Sequence, residues 1–316
     1  MAAAYDILII GGGPAGLSAA ASIVRQDHSI YLFDSHQYRN AASKHMHTLS
    51  SWDHRDPAEF RDAALKELER YGTVTVDRTE VESIKQTEDG MIEATGSGKT
   101  VKGKKVILAT GVEDIFPDIP GYADCWVTGI FHCLYCHGWE EKGRLSAGML
   151  AEGDTGNVLV ALHFARQALR LANQVTLYTN GNAELAKQLT EALEAAPAPM
   201  TVEAKKIMRL RKGPKRAEMV IEFDDGTSRT EAFLAHKPKT KLRGSLAQQL
   251  GLQLTPMGII KVNPPFNQTD LKGVFAAGDC ASPMQTVTAA LHTGTCTGGG
   301  APLQIQAEAL NQKAIF

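Results

Sequence analysis

The sequence lacks any apolar run approaching the roughly 20 residues that span a bilayer, so a membrane-embedded chain is not expected. It also lacks an excess of charge of either sign. Thirty-three Lys and Arg face 35 Asp and Glu, the net charge is −2, and the signs are interspersed. A basic surface for nucleic acid or acidic lipid is therefore not predicted. The opening MAAAYDILIIGGG has no basic region ahead of its short apolar stretch. It reads as a first β-strand and not as an export signal. Cysteine is scarce: Cys125, Cys133, Cys136, Cys280 and Cys296. An odd count without an export signal suits a reducing cytoplasm, where a close pair is more often catalytic or metal-binding than structural. Low-complexity tails, coiled-coil heptads and solenoid periods are missing too. What remains, 316 residues at 43% hydrophobic, accommodates two globular domains.

YDILIIGGGPAGLSAAASIVRQDHSIYLFD reads as strand, turn, helix and strand. Gly11, Gly13 and Gly16 stand in G-x-G-x-x-G spacing. Gly11 permits the tight turn, Gly13 lets the backbone approach a pyrophosphate, and Gly16 lets helix and strand pack closely. Asp34, at the end of the second strand, can accept from the hydroxyls of an unphosphorylated ribose, as in FAD or NAD. Two later segments are KKVILATG (104–111) and LKGVFAAGDC (271–280). With the first fingerprint they resemble the motifs of flavoproteins built from two dinucleotide-binding domains. That resemblance implies FAD, with Asp279 near its ribityl and pyrophosphate region. It also places the helix start at Gln285, Thr286 and Val287 near the flavin pyrimidine.

AGMLAEGDTGNVLVALHFARQALRLANQVTLYTNG repeats the strand–turn–helix–strand pattern in eroded form. Ala151 replaces the first glycine, and Glu152 puts an acidic side chain where a pyrophosphate would come. LSAGML is a weak strand former. YTNG at the second strand end offers no arginine for a 2′-phosphate. The expected organisation is a FAD domain of residues 1–115 and 243–316. Residues 116–242 form an insert whose nucleotide site is degenerate. FDDGTSRT reads as a hairpin turn through Asp225-Gly226.

HCLYCHG (132–138) contains Cys-x-x-Cys-His, whose spacing serves haem attachment, zinc binding or redox chemistry. Haem needs an export route that nothing here supports. Zinc needs about four ligands, and no second Cys/His cluster accompanies this one. A redox disulfide between Cys133 and Cys136 is the favoured reading and no metal is expected. Cys125, Cys280 and Cys296 read as isolated, buried small hydrophobes. Trp52, Trp126, Trp139 and Phe131 are as readily core aromatics as substrate contacts.

The order of these motifs resembles the low-molecular-weight thioredoxin reductase family over nearly the full length. It implies an α/β fold of two Rossmann-like dinucleotide-binding domains of the three-layer ββα type, the second inserted into the first, and a homodimer. It also implies that the cysteine pair sits at a helix N-terminus, where the dipole favours the thiolate. Cys136 would face the flavin and Cys133 would exchange with substrate. Further cofactor contacts are implied at Pro14, Ala15, Arg39, Asn40, His47, Thr110 and Gly111. The departures are the eroded second turn and His137 in place of an acid. CLYCHG, with FDSHQYRN after the second strand, resembles the fungal dithiol oxidases of the gliotoxin-oxidase type. That implies oxidation of a small-molecule dithiol of the epidithiodioxopiperazine type by O2, through FAD, yielding hydrogen peroxide. His137 is the candidate base, because imidazole titrates near neutrality. His292, in ALHTGT, is a second candidate acid/base residue, and His132 a weaker one. An NADPH-dependent disulfide reductase is the alternative.

Overall fold

The computed structural model describes residues 4–316. Its first strand, β1 (Tyr5–Ile10), leads through α1 (Pro14–Ile23) to β2 (Ile30–Phe33). Next come α2 (Pro57–Glu69), β3 (Val74–Asp77), β4 (Ser83–Gln86), β5 (Ile92–Gly96), β6 (Lys99–Leu108) and β7 (Val112–Ile115). The middle of the chain holds α3 (Tyr122–Cys125), β8 (Ile130–Phe131), β9 (Arg144–Leu150), α4 (Val158–Ala168) and β10 (Ala172–Tyr178). It continues with α5 (Ala183–Ala195), β11 (Met200–Glu203), β12 (Ile207–Lys212), β13 (Met219–Phe223), β14 (Ser228–Glu231), β15 (Leu234–Ala235) and β16 (Lys239–Leu242). The last elements are α6 (Leu246–Gln249), β17 (Val274–Ala276) and α7 (Val287–Ala309). The chain forms two compact units. One runs through Glu113 and resumes from Lys241 to Phe316; the other is Asp114–Thr240.

The first unit is built on the parallel order β3-β2-β1-β6, with β17 also parallel to β6 and β4-β5-β6 as an antiparallel meander. Side-chain alternation along β1 explains its layers. Ile7 and Ile9 belong to the core with Leu17 and Ile23 of α1 and Ile305 of α7. Leu8 and Ile10 belong to the opposite core, with Ile84, Ile92 and Val101 of the meander. A stretch buried on both faces must be apolar throughout, as Ile7–Ile10 of β1 is. Helices α1 and α7 pack through small residues. A β-carbon at Gly294 would lie 2.2 Å from the carbonyl oxygen of Ala15, and one at Gly298 2.6 Å from that of Ala19.

The second unit repeats the plan. Its parallel sheet runs β11-β10-β9-β15-β8, and β12-β13-β14 form the antiparallel layer. Ala147 and Met149 of β9 share a core with α4 and α5, while Leu150 packs with Leu210, Met219 and Ile221. LSAGML is a weak strand former, yet it lies inside β9, between β10 and β15. Central burial there outweighs intrinsic preference. The turn Asp225-Gly226 joins β13 to β14, with Gly226 at φ +80°.

Candidate active site

The first glycine-rich turn separates two kinds of glycine. A β-carbon at Gly11 (φ +120°) would lie 2.2 Å from the Ala109 carbonyl oxygen, and one at Gly16 would lie 1.9 Å from that of Gly11. These are packing requirements of β1, β6 and α1. A β-carbon at Gly13 would meet nothing within 4 Å. Gly13 caps α1 in an extended conformation, Pro14 follows, and no acid stands in the helix's first turn. An open backbone at an uncompensated helix N-terminus fits a pyrophosphate, so the residues present suit a dinucleotide cofactor. Gly12 was not singled out from sequence. Its β-carbon would press to 2.3 Å from Asp34 Cγ, and the only sequence signal was the run of three glycines.

Asp34 is 1% exposed. Its Oδ1 accepts from the His36 N–H (3.0 Å), and its Oδ2 accepts from the Tyr38 hydroxyl (2.6 Å) and from Arg78 (2.6 Å). Burial and the adjacent carboxylate push the Tyr38 phenol above its ordinary range. The Arg61 guanidinium lies 3.8 Å over the Tyr38 ring and donates to Asn40 Oδ1 (3.1 Å). Arg39 donates to both Asp279 (2.9 Å) and Gln285 (2.8 Å), gathering three expected cofactor residues from distant parts of the chain. Thr286 caps α7, accepting from the Ala289 N–H, and Val287 is its first helical residue. Thr110 and Gly111 (φ +70°) follow β6, and Ala15 is buried in the first turn of α1. His47 lies 3.4 Å from Asp53. Tyr38, four residues after Asp34, was passed over, and Arg61 and Arg78 escaped sequence reasoning because nothing in their spacing reports that they come here.

Cys133 and Cys136 form a disulfide with Cα atoms 5.2 Å apart. The expected helix N-terminus is absent. The pair lies in a single turn closed by the Cys136 and His137 N–H groups on the Cys133 carbonyl (3.2 and 3.0 Å). Gly138, at φ +106°, then breaks the chain's direction, and only a three-residue 3-10 turn, Trp139–Glu141, follows. A helix macrodipole therefore does not act on these sulfurs. The Cys136 N–H, 3.1 Å from Cys133 Sγ, is the local donor instead. His137 stacks on Phe131 at 5.5 Å and 14°, and His132 stacks on Trp126 at 5.4 Å. Phe131 is buried and Trp126 joins the core around Tyr122, whereas Trp139 is exposed. Trp52 packs edge-on against Phe60 under Arg55.

His292 lies on α7 in the first unit, 3.7 Å from Cys296 Sγ, one helical turn away. Cys296 is thus neither isolated nor fully buried, unlike Cys125 and Cys280, and partial burial raises its thiol pKa. The i, i+4 spacing on a helix was the signal available for that pair.

The second turn is closed on itself. Glu152 Oε2 accepts from Asn180 Nδ2 (2.9 Å), and Asn180 Oδ1 accepts from the Ile207 N–H (2.8 Å). The Glu152 carbonyl accepts from the Thr155 hydroxyl (2.7 Å) and from His236 Nε2 (3.1 Å). A 3-10 turn, Gly153–Thr155, occupies the loop, and Lys237 faces Asp154 at 3.7 Å.

Paired nucleotide-type units, one with an open phosphate turn and one with a disulfide turn, define a flavin-class thiol–disulfide oxidoreductase. Residues 5–294 match the pyridine nucleotide-disulphide oxidoreductase model, and the chain belongs to that family. It is 45% identical to thioredoxin reductase tcpT of Claviceps purpurea, covering 98% of this chain and 97% of that one. It is 43% identical to thioredoxin reductase aclD of Aspergillus oryzae, covering 98% of each. A putative thioredoxin reductase structure from Bacillus anthracis superposes with a TM-score of 0.87 at 26% identity, covering 96% of this chain and 99% of that one. Among the described residues, no helix is long and apolar enough to cross a membrane.

Proposed function

We propose that this enzyme is an FAD-dependent dithiol oxidase. It closes the disulfide of a small-molecule dithiol of the epidithiodioxopiperazine type, with O2 as acceptor and hydrogen peroxide as product. The observation that carries this reading is the second turn. Glu152 is held there by Asn180, so a carboxylate stands where a nucleotide phosphate would approach, and the Thr155 and Gly156 N–H groups are already used within the loop. With that supply of electrons lost, the Cys133–Cys136 disulfide takes them from the thiol substrate in this reading.

The residues divide the chemistry as follows. A substrate thiolate attacks Cys133 Sγ, the S–S bond breaks, and Cys136 leaves as thiolate. The second substrate thiol attacks the substrate sulfur of the mixed disulfide and expels the Cys133 thiolate. The substrate disulfide is complete, and two electrons and two protons now reside on the enzyme. His137, adjacent to Cys136 and fixed by its Phe131 stack, accepts the substrate thiol's proton; His292 is assigned a secondary acid/base role. FAD would be held by Gly13, Arg39, Asp279 and the Thr286 cap, on the turn that Gly11 and Gly16 allow. When bound, it takes the electron pair from the enzyme dithiol and delivers it to O2.

A second reading, an NADPH-dependent thioredoxin reductase acting as a homodimer, has the names of the relatives in its favour. Anaerobic titration separates the two. Dithiothreitol should bleach the flavin and NADPH should not; admitting air should restore the colour with one peroxide per dithiol. Prompt bleaching by NADPH would overturn the oxidase.

A further inference from the structure

The stretch FHCLYCHGW (131–139) contains no Asp, Glu, Lys or Arg. Its side chains divide sharply by burial. Phe131 is buried against Phe233, and Leu134 packs on the core beneath the α4 helix. Tyr135 and Trp139 stay 73% and 71% exposed, and the two cysteines between and beside them are half-buried. The backbone carrying both rings is fixed. The Cys133 carbonyl closes the turn before them. A β-carbon at Gly138 would lie 3.1 Å from Leu171 and 3.2 Å from Leu134, so the chain is pressed against the core at that point. After Trp139, the Glu141 N–H returns to the Gly138 carbonyl (2.9 Å), and the Glu141 side chain is buried near Arg144.

Two large rings thus stand in water on either side of Cys136, on backbone held by the bonds of the turn. Aromatic rings cover much apolar area at little entropic cost and prefer flat partners. Tyr135 also lies within the four-residue disulfide loop itself.

We infer that Tyr135 and Trp139 form an aromatic clamp for a dithiol carrying a planar ring, and that this clamp sets substrate specificity at the Cys133–Cys136 disulfide. The inference rests on the dithiol-oxidase reading for its substrate class. The ring lies against the aromatics while a thiol meets Cys133. The charges nearest in the chain begin at Glu140, whose carbonyl accepts from Arg216 (2.7 Å), so the rings themselves supply apolar and not ionic contact.

The test uses the flavin-loaded enzyme with two probes, dithiothreitol and 1,2-benzenedimethanethiol, following peroxide. Wild type should show a KM roughly tenfold lower for the ring-bearing dithiol, about the ratio one good aromatic contact supplies. Tyr135→Ala and Trp139→Ala should bring the two KM values together, and Tyr135→Phe and Trp139→Phe should restore the gap. Equilibrium dialysis of the two cyclic disulfide products reads the same preference without turnover. Equal binding of both products by wild type overturns the clamp while leaving dithiol oxidation intact. Ring-selective binding lost in the alanine variants, with no dithiol oxidised, supports the clamp and overturns the oxidase. A fall in oligomeric mass in the alanine variants assigns the rings to a protein interface and also overturns the clamp.

Discussion

His236 is fully buried, and its two ring nitrogens have distinct tasks. Nε2 faces the Glu152 carbonyl and must donate, so Nδ1 accepts from the Tyr122 hydroxyl at 2.6 Å. Only the neutral ring satisfies both. Burial accordingly pulls its pKa down to about 4 from 6.5, opposed by the bond to Glu152. Between those values the unfolded chain binds a proton that the folded chain refuses. Stability should therefore fall as pH drops from 6.5 through 4 and level off below, by of order 3 kcal/mol. Urea midpoints between pH 7 and pH 4 should show this limb in wild type and a flatter one in His236→Ala, which starts lower. For His137, replacement by Gln keeps a polar group but removes the proposed base. Thiol oxidation should slow about 100-fold or more, with the flavin still bound. A variant of unchanged rate would shift the proton transfer to His292.

At the scale of elements, the two glycines of the first turn should separate fold from ligand. Gly16→Ala drives a β-carbon into the Gly11 carbonyl and should destabilise the fold by a few kcal/mol, read as a lower thermal midpoint without cofactor. Gly13→Ala meets open space, so the cofactor-free midpoint should hold while flavin retention on gel filtration falls. Equal loss of stability in both variants would remove the assignment of Gly13 to the ligand side. These roles were legible in the sequence because spacing within one turn is local information, and so was the two-faced burial of β1. The disulfide turn was not. Family resemblance placed it at a helix N-terminus, but the left-handed Gly138, pinned by Leu171 and Leu134, stops any helix there. Leu171 lies far enough along the chain that no local pattern announces the clash.

At the scale of the whole molecule, two units of one plan carry different chemistry. The first gathers its site through Arg39, Asp279 and Gln285, and the second through a disulfide and stacked rings. Ligand stabilisation should follow that division. On stripping the flavin, hydrogen exchange should quicken in β1, α1 and the first turns of α7, while β10 keeps its protection. Uniform loosening of both units would contradict this. The partners of Asp34 show where sequence reading stops at this scale. Tyr38, four residues on, was within sight, but Arg78 lies 44 positions away and meets Asp34 only once β2 and β3 pair.

The closed second turn also bears on history. Glu152, Asn180, Thr155 and His236 satisfy one another, so each holds the others in place. Replacing Ala151 by glycine would restore a letter of the old fingerprint and nothing else. The acid would still be tied to Asn180, and the loop would still be filled. Untying Glu152 alone would strand Asn180, and removing His236 would strand the Tyr122 hydroxyl. Each backward step is worse than standing still, so the loop acts as a ratchet. The loop therefore resists any single-residue return to a phosphate-binding turn.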